Sequence, residues 1–229
     1  MMASPRPQSR FTKVSSLSDQ VYTYLRQAII CSELLPGEKL VELEIAAQMG
    51  TSQGPVREAL QRLEHDGLVE RRARSATFVT SVPMDEMYEL FSIRSEIEGF
   101  AARRAAQKIT AAQYDLLDEL VQKMAEAGEQ HEIITLAEYD MQFHRSIVEW
   151  SGSVGLLRVW TPLSNQILRF IVQSHPQQYP DFVEIGTRHQ PIVDALRRRD
   201  SDGAAHALQQ HIMLIWSSGQ NFSPDGFLK

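Results

Sequence analysis

Apolar residues recur along most of this chain at steps of three and four, the period of a helix that buries one face. From Ser18 onward Val21, Leu25, Ala28 and Ile29 share a stripe, which predicts a helix over about 18–32 that the Leu35-Pro36-Gly37 segment stops. Ile45, Ala46 and Met49 form a second, shorter stripe closed by Gly50. A third helix starts at Ser52, a residue type suited to capping, and tolerates Pro55 because first-turn amides lack intrahelical partners. It runs through Val56, Leu60 and Leu63 to Asp66-Gly67. The period then changes. Leu68 to Arg72 and Thr77 to Thr80, joined through Ala73 to Ala76, read as a β-hairpin with Arg71, Arg72 and Arg74 at a basic tip. Three short helices followed by a hairpin predict a winged helix-turn-helix over 16–80, preceded by a Ser-, Pro- and Arg-rich arm over 1–15 to which no structure is assigned.

Pro83 biases its predecessor away from helix, so Thr80 to Pro83 reads as a linker. Beyond it the period stays helical, with elements predicted at about 84–107, 110–127, 131–151, 153–174, 181–199 and 201–217. Each carries an apolar stripe, such as Leu90, Ile93, Ile97 and Ala101 on the first. The expected fold is therefore mainly α: the N-terminal winged unit and an antiparallel all-helical bundle over 81–229.

Composition narrows the function. With 229 residues, 43% hydrophobic and 23% charged, disorder is excluded as the main state. The net charge of −6 is unevenly shared: residues 1–80 hold 10 Lys and Arg against 9 Asp and Glu, residues 81–229 hold 13 against 20. One cysteine, Cys31, allows no internal disulfide, no run approaches the roughly 18–20 apolar residues of a membrane span, and the basic N-terminus lacks an apolar segment. A cytoplasmic protein without a membrane partner is the expectation.

In a helix-turn-helix the N-terminal residues of the second helix of the motif enter the major groove. Here these are Ser52, Gln53, Gly54, Pro55 and Arg57, and Arg57 points away from the Val56–Leu60–Leu63 stripe. Arg71, Arg72 and Arg74 would hold the flanking backbone of double-stranded DNA. A surplus of one positive charge is small for this task, which argues for a homodimer that pools charges and for salt-sensitive binding.

The bundle carries a second kind of chemistry. Asp140 and His144 stand at i and i+4 and share a helix face. His189 opens a stripe with Ile192, Val193 and Leu196, and His211 sits among Leu208, Ile212 and Ile215. Each alone reads as readily as a hydrogen-bonded core residue; together they offer three imidazoles and a carboxylate, a set suited to Zn²⁺, Ni²⁺ or a similar ion. His206 lies on another face from His211, and His65, His131 and His175 read as surface residues. Arg94 stands at the edge of its helix's apolar stripe, either paired with Glu98 at i+4 or aimed into a cavity, where its planar donor fork matches a carboxylate.

The string Pro36-Gly37-Glu38-Lys39-Leu40-Val41-Glu42, then Ser52 to Leu63 (SQGPVREALQRL), then Asp66-Gly67-Leu68-Val69, resembles the signature of GntR-family bacterial transcription regulators. Arg94-Ser95-Glu96-Ile97-Glu98 with Ala101, Ala102 and Ala105 resembles the opening of the all-helical FCD effector domain of the FadR-like subclass. The resemblance spans nearly the whole chain from about Ser16. It implies that Asp140, His144, His189 and His211 hold a divalent metal and that Arg94 faces the effector. The chain departs from the pattern at Gln53 and Leu43, where relatives often have Arg, at Ala76 in the wing, usually Gly, and at Ser153, often Asn. Gln in place of Arg exchanges a guanine-type contact for an adenine-type one, so an altered half-site is expected.

Three neutral imidazoles, one carboxylate, a divalent ion and Arg94 sum to +2, a site for a small organic acid. The expected function is a repressor that binds a palindromic operator as a dimer and releases it when the acid binds beside the metal. The competing expectation is a metal-dependent hydrolase or lyase acting on a small carboxylate; against it, the chain has neither an HExxH-like motif nor a Ser-His-Asp layout, so no enzymatic activity is expected.

Overall fold

The structure, a computed structural model, describes residues 15–72 and 76–217; Arg74 and all but the last residue of the 1–15 arm lie outside the described residues. The N-terminal unit contains α1 (Leu17–Ile30), β1 (Lys39–Leu40), α2 (Glu42–Gln48), α3 (Gln53–His65), β2 (Val69–Arg72) and β3 (Ala76–Val79). Helix α1 begins in a capping box: the Ser16 hydroxyl accepts from the Asp19 backbone N–H, and the Asp19 carboxylate accepts from Ser16 N. Helix α3 ends at Gly67, whose φ of +73° lets the Leu68 N–H turn back to the Leu63 carbonyl. The expected hairpin is present, with Val69 opposite Val79 and Arg72 opposite Ala76. A third strand joins it: β1 pairs antiparallel with β3, giving the order β1-β3-β2. Two residues carry too little periodicity to announce a strand. The apolar core of this unit is built from Val21, Leu25, Ile29, Leu40, Ile45, Val56, Leu60, Leu63, Leu68, Val69 and Val79, and the buried polar residues beside it, Ser18 and Thr77, are neutral.

The second unit runs α4 (Met84–Ala106), α5 (Ala111–Glu129), α6 (Ile133–Trp150), α7 (Val154–Gln178), α8 (Val183–Thr187), α9 (Gln190–Arg197) and α10 (Ser201–Ser217). Helix α10 packs chiefly on α4, and α5 on α6 and α8. The single helix expected over 181–199 is in fact two. A continuous helix would need the amide of residue 191 to bond the carbonyl of Thr187, and Pro191 has no N–H, so the chain stops at Thr187 and restarts with proline in the first turn of α9. Close packing fixes α8 on α5: a Cβ at Gly186 would lie 2.9 Å from the Ala125 backbone N, and one at Gly128 2.8 Å from the Phe182 carbonyl. Helix α7, expected to stop at 174, continues through Pro176. Among the described residues no helix is long and apolar enough to cross a membrane.

The stripe expected on α4 is a second correction. Ile93 is 50% exposed and Leu90 and Ile97 are half-buried, whereas Met87, Phe91, Arg94, Ser95, Glu98, Ala101, Ala102 and Ala105 face inward. The inward face carries charged groups and small alanines, so hydrophobic spacing pointed to the neighbouring face instead.

Helix α7 is the main bridge between the units. Asn165 and Gln166 donate to the Asp66 and Gly67 carbonyls, Arg169 Nη1 donates to Thr80 O at 2.7 Å, and Gln173 donates to Ser32 Oγ at 2.6 Å. Arg26 on α1 pairs with Glu138 on α6 at 3.3 Å.

Candidate metal centre and DNA-reading face

The break before α9 determines where His189 points. As the residue before that helix, fully buried, it donates from Nδ1 to the Ile185 carbonyl at 3.0 Å, which leaves Nε2 as a bare acceptor directed inward. His144, one turn after Asp140 on α6, donates from Nδ1 to Glu98 Oε2 at 2.5 Å, so its Nε2 also faces inward. His211 comes from α10, its ring 4.1 Å from that of His189 and 5.3 Å from that of His144. One ligand atom from each of Asp140, His144, His189 and His211 lies within 4.8 Å of the others. Four positions separated by up to 71 residues thus converge.

These residues fit a divalent metal. His189 Nε2 stands 3.0 Å from Asp140 Oδ1 yet makes no hydrogen bond, and Asp140 Oδ2 is buried without a partner. Two lone pairs facing each other at that distance repel unless a cation lies between them. Two atoms each about 2.1 Å from one ion and at right angles to it are about 3 Å apart. Protonation states agree: burial, then the neighbouring imidazoles of His189 and His144, push His211 well below the ordinary histidine range, and burial lowers His144 as well. Neutral imidazoles and an ionised carboxylate are the ligand forms.

Around this centre lies a set of contacts the sequence did not announce. Glu98, fully buried, accepts from Arg94 Nε at 2.6 Å, from Trp160 Nε1 at 2.6 Å and from His144 Nδ1. Burial opposes its charge; Arg94 and then His144 overcome this and set its carboxyl at about 2. It acts as the carboxylate behind a ligating histidine, orienting the ring. Both readings of Arg94 hold together. It pairs with Glu98, and it lines the cavity with Nη2 buried and unpartnered. Glu98 lowers the expected charge of the site from +2 to +1.

The cavity beside these ligands is partly open to solvent. Asp140, His144, His211 and Arg94 line it together with His175, Tyr179 and Arg188. His175, expected at the surface, is 6% exposed, and burial lowers it to about 4. The signal was Leu168 and Ile171, seven and four residues earlier on the same face of α7, which the presumed helix end at 174 concealed. His65 and His131 are exposed as expected, and His206, expected on another face from His211, is exposed as well. Ser153 accepts from Leu156 N at the start of α7.

Of the DNA candidates, Gln53, Arg57 and Arg71 line one groove of the winged unit, together with Lys39, Glu42, Leu43 and Thr77 among others. Ser52 precedes α3 but caps nothing with its side chain, and with Gln53 and Gly54 it is exposed at a helix N-terminus, the geometry that receives a phosphate. Pro55 closes the first turn. The arginines are outward but not free. Arg57 Nη2 meets Glu42 at 2.8 Å, Arg71 meets Glu64 at 3.3 Å, and Arg72 meets Glu70 at 2.5 Å while lying over the Phe78 ring. All three pairs are solvent-screened, so exchanging the carboxylate for a phosphate costs little.

Comparison with known proteins matches residues 17–79 to the bacterial regulatory proteins of the gntR family and residues 89–213 to the FCD domain. The chain is 33% identical over 200 residues, 86% of each protein, to the "Probable D-xylose utilization operon transcriptional repressor" of Paenarthrobacter nicotinovorans. It is 27% identical over 217 residues, 92% of each, to the HTH-type transcriptional repressor RspR of Escherichia coli. The solved E. coli McbR/YncC structure superposes with a TM-score of 0.72 at 25% identity, covering 89% of this chain and 99% of that one. These relatives are transcription regulators rather than enzymes, so the hydrolase or lyase reading falls. A winged helix-turn-helix joined to an all-helical domain, matched at both ends by family and by structure, places this chain in the GntR family of DNA-binding bacterial transcription regulators, with an FCD domain as its second unit.

Proposed function

We propose that this regulator is a cytoplasmic repressor that binds a palindromic operator as a homodimer and releases it when a small organic acid binds beside a divalent metal, Zn²⁺ or Ni²⁺, in the helical unit. Residues 16–80 would be the DNA-binding domain and 81–229 the effector domain. The carrying observation is the convergence of Asp140, His144, His189 and His211 on one another beside a cavity that Arg94, its Nη2 buried and unpartnered, also lines. When bound, the ion would supply a Lewis-acidic centre for a carboxylate. Arg94, oriented by Glu98, would clamp the same carboxylate from the side.

Ser52, Gln53, Gly54, Pro55 and Arg57 would read the half-site, with Arg71, Arg72 and Arg74 on the flanking backbone. Dimerisation draws support from α4, whose outer face presents Ile93 and Phe100, each about half exposed and about one turn to either side of half-buried Ile97. Such an apolar row suits a second copy of this chain.

Release requires that the acid bind the DNA-competent and DNA-incompetent arrangements with different affinity. Helix α7 supports such a link: Gln166 and Arg169 hold the winged unit, and Ile171, His175 and Tyr179 further along the same helix line the cavity. The test is thermal unfolding of chelator-stripped protein with Zn²⁺, Ni²⁺ or Mn²⁺, then with hydroxy- and dicarboxylic acids, followed by gel shifts. Stabilisation of the wild type but not of His144→Ala, with operator release by the same acid, is the expected result. An acid that strengthens operator binding reverses the sign of the response, and absence of any metal effect removes the reading.

A further inference from the structure

Besides the metal ligands, the cavity is lined by a second group of polar side chains that the effector reading has not used. Arg188 follows α8 and donates from Nη2 to Glu184 at 2.8 Å, but its Nη1 is buried and without a hydrogen-bond partner. Its guanidinium lies over the Tyr179 ring, 4.9 Å from the centroid. The His175 ring meets the Tyr179 ring edge-on, also at 4.9 Å, and His175 Nδ1 is buried and unpartnered. Arg188, Tyr179 and His175 therefore form one stack, held by α7 and the end of α8, that presents unsatisfied polar atoms to the same cavity as Arg94. Buried polar groups without partners are uncommon, and several on one cavity wall point to a ligand that completes them.

Charge leads to the same conclusion. With a divalent ion, Asp140, Glu98 and Arg94 leave +1 at the metal end, the complement of one carboxylate. Arg188 adds a further positive charge to the lining, and its carboxylate partner Glu184 is half exposed and screened by water. A monocarboxylate held at the metal would leave Arg188 Nη1 without an acceptor.

We propose that Arg188, positioned by Tyr179 and His175, is the second anion-binding arm of this cavity, so that the effector is a short acid with two carboxylates, one at the metal end and one on Arg188. This rests on the reading of the cavity as the effector site. The planar fork of arginine matches a carboxylate in two hydrogen bonds, a match lysine does not reproduce.

The test is calorimetric titration of metal-loaded, full-length protein with matched pairs that differ only in a distal carboxylate against a methyl group: L-malate with L-2-hydroxybutyrate, succinate with butyrate, glutarate with pentanoate. In the wild type at least one dicarboxylate should bind tenfold or more tightly than its partner. Arg188→Met should reduce that ratio to within threefold by weakening the diacid alone, with metal stoichiometry unchanged, and Arg188→Lys should recover only part of it. Glu184→Gln, which frees Arg188 without touching the cavity wall, should widen the ratio. Equal binding of both members of every pair, or an Arg188→Met effect shared equally by both, overturns the second arm while leaving the cavity as an effector site. Failure of every acid to bind overturns both.

Discussion

The winged unit and the helical unit solve the problem of charge in opposite ways. In the first, no charged side chain is buried among the described residues, and the charged groups lie outside in screened pairs such as Arg57–Glu42 and Arg62–Asp19. In the second, Arg94, Glu98, Asp140, His144 and His189 are each no more than 3% exposed, inside a bundle otherwise filled by Phe91, Phe143, Leu117 and Ile147. A surface pair can trade one partner for another at little cost, which suits a face that must meet and leave DNA. A buried charge network cannot, and it persists only where each charge has an assigned partner. Reversible contact with DNA suits the first arrangement, and the proposed discrimination among small ligands suits the second.

The largest expected effect separates these two kinds of charge. Glu98→Ala strands the Arg94 guanidinium in a dry interior and removes the acceptor of His144 and Trp160, so unfolding in denaturant should show a loss of about 3–5 kcal/mol. Glu42→Ala, which breaks the corresponding pair in the winged unit, should cost under about 1 kcal/mol. Equal costs would mean that the buried network is no more tightly coupled than the surface.

The same contrast explains what could be read from the sequence. Periodicity found the winged unit, helix by helix, because there the apolar stripe and the buried face coincide: Val56, Leu60 and Leu63 were expected inside and are 0% exposed. On α4 the rule fails. Ile93 reads as core and is half exposed, while Arg94 beside it is 2% exposed, because that helix turns its charged face toward the cavity and its apolar face outward. The four metal candidates were nevertheless legible, since residue type and helix register identify potential ligands without any knowledge of the core. Their surroundings were not. Glu98 is a surface-type residue in any local window, and only the packing of α6 and α7 against α4 makes it the acceptor for His144 and Trp160. The split at Pro191 was written in the sequence but passed over, and with it the reason His189 points inward.

Acid should act on the interior before it acts on the winged core. His175 is held at about 4 by burial, whereas its ordinary value in an unfolded chain is about 6.5. Between those values the unfolded chain binds a proton that the folded one refuses, so the stability of chelator-stripped protein should fall as pH drops from about 6.5 to 4. His175 alone accounts for roughly 3 kcal/mol at most, and His211, shifted the same way, adds to the slope. Urea unfolding across this range should show a shallower slope in His175→Phe. An unchanged slope would assign the acid sensitivity to other groups.

Metal addition sharpens the contrast further, because it acts on one unit only. At a hundred times the dissociation constant, an ion that binds the native state alone stabilises it by about 2.7 kcal/mol. Wild-type protein should gain this on Zn²⁺ or Ni²⁺ addition at neutral pH. His144→Ala and Asp140→Asn should gain almost none, and Arg57→Gln should gain as much as the wild type. A gain retained in His144→Ala would move the metal away from the cavity.

The smallest effect on stability has the most to say about DNA. Arg57 is 56% exposed at its side chain, and its pair with Glu42 is bidentate in form but open to solvent, so Arg57→Gln should change unfolding by less than about 1 kcal/mol. Affinity for a generic duplex is another matter. A guanidinium that leaves Glu42 for a phosphate releases about one condensed counterion, and its removal should lower the slope of log affinity against log salt by about 0.9 per site. Measured across a salt series, that change would place Arg57 on the backbone. An unchanged slope together with lost preference for one operator base would place it on a base edge instead, where Gln53 beside it would share the reading. An unchanged slope with unchanged preference would mean that Glu42 keeps Arg57 even on DNA, and that the surface pair is as fixed as the buried one.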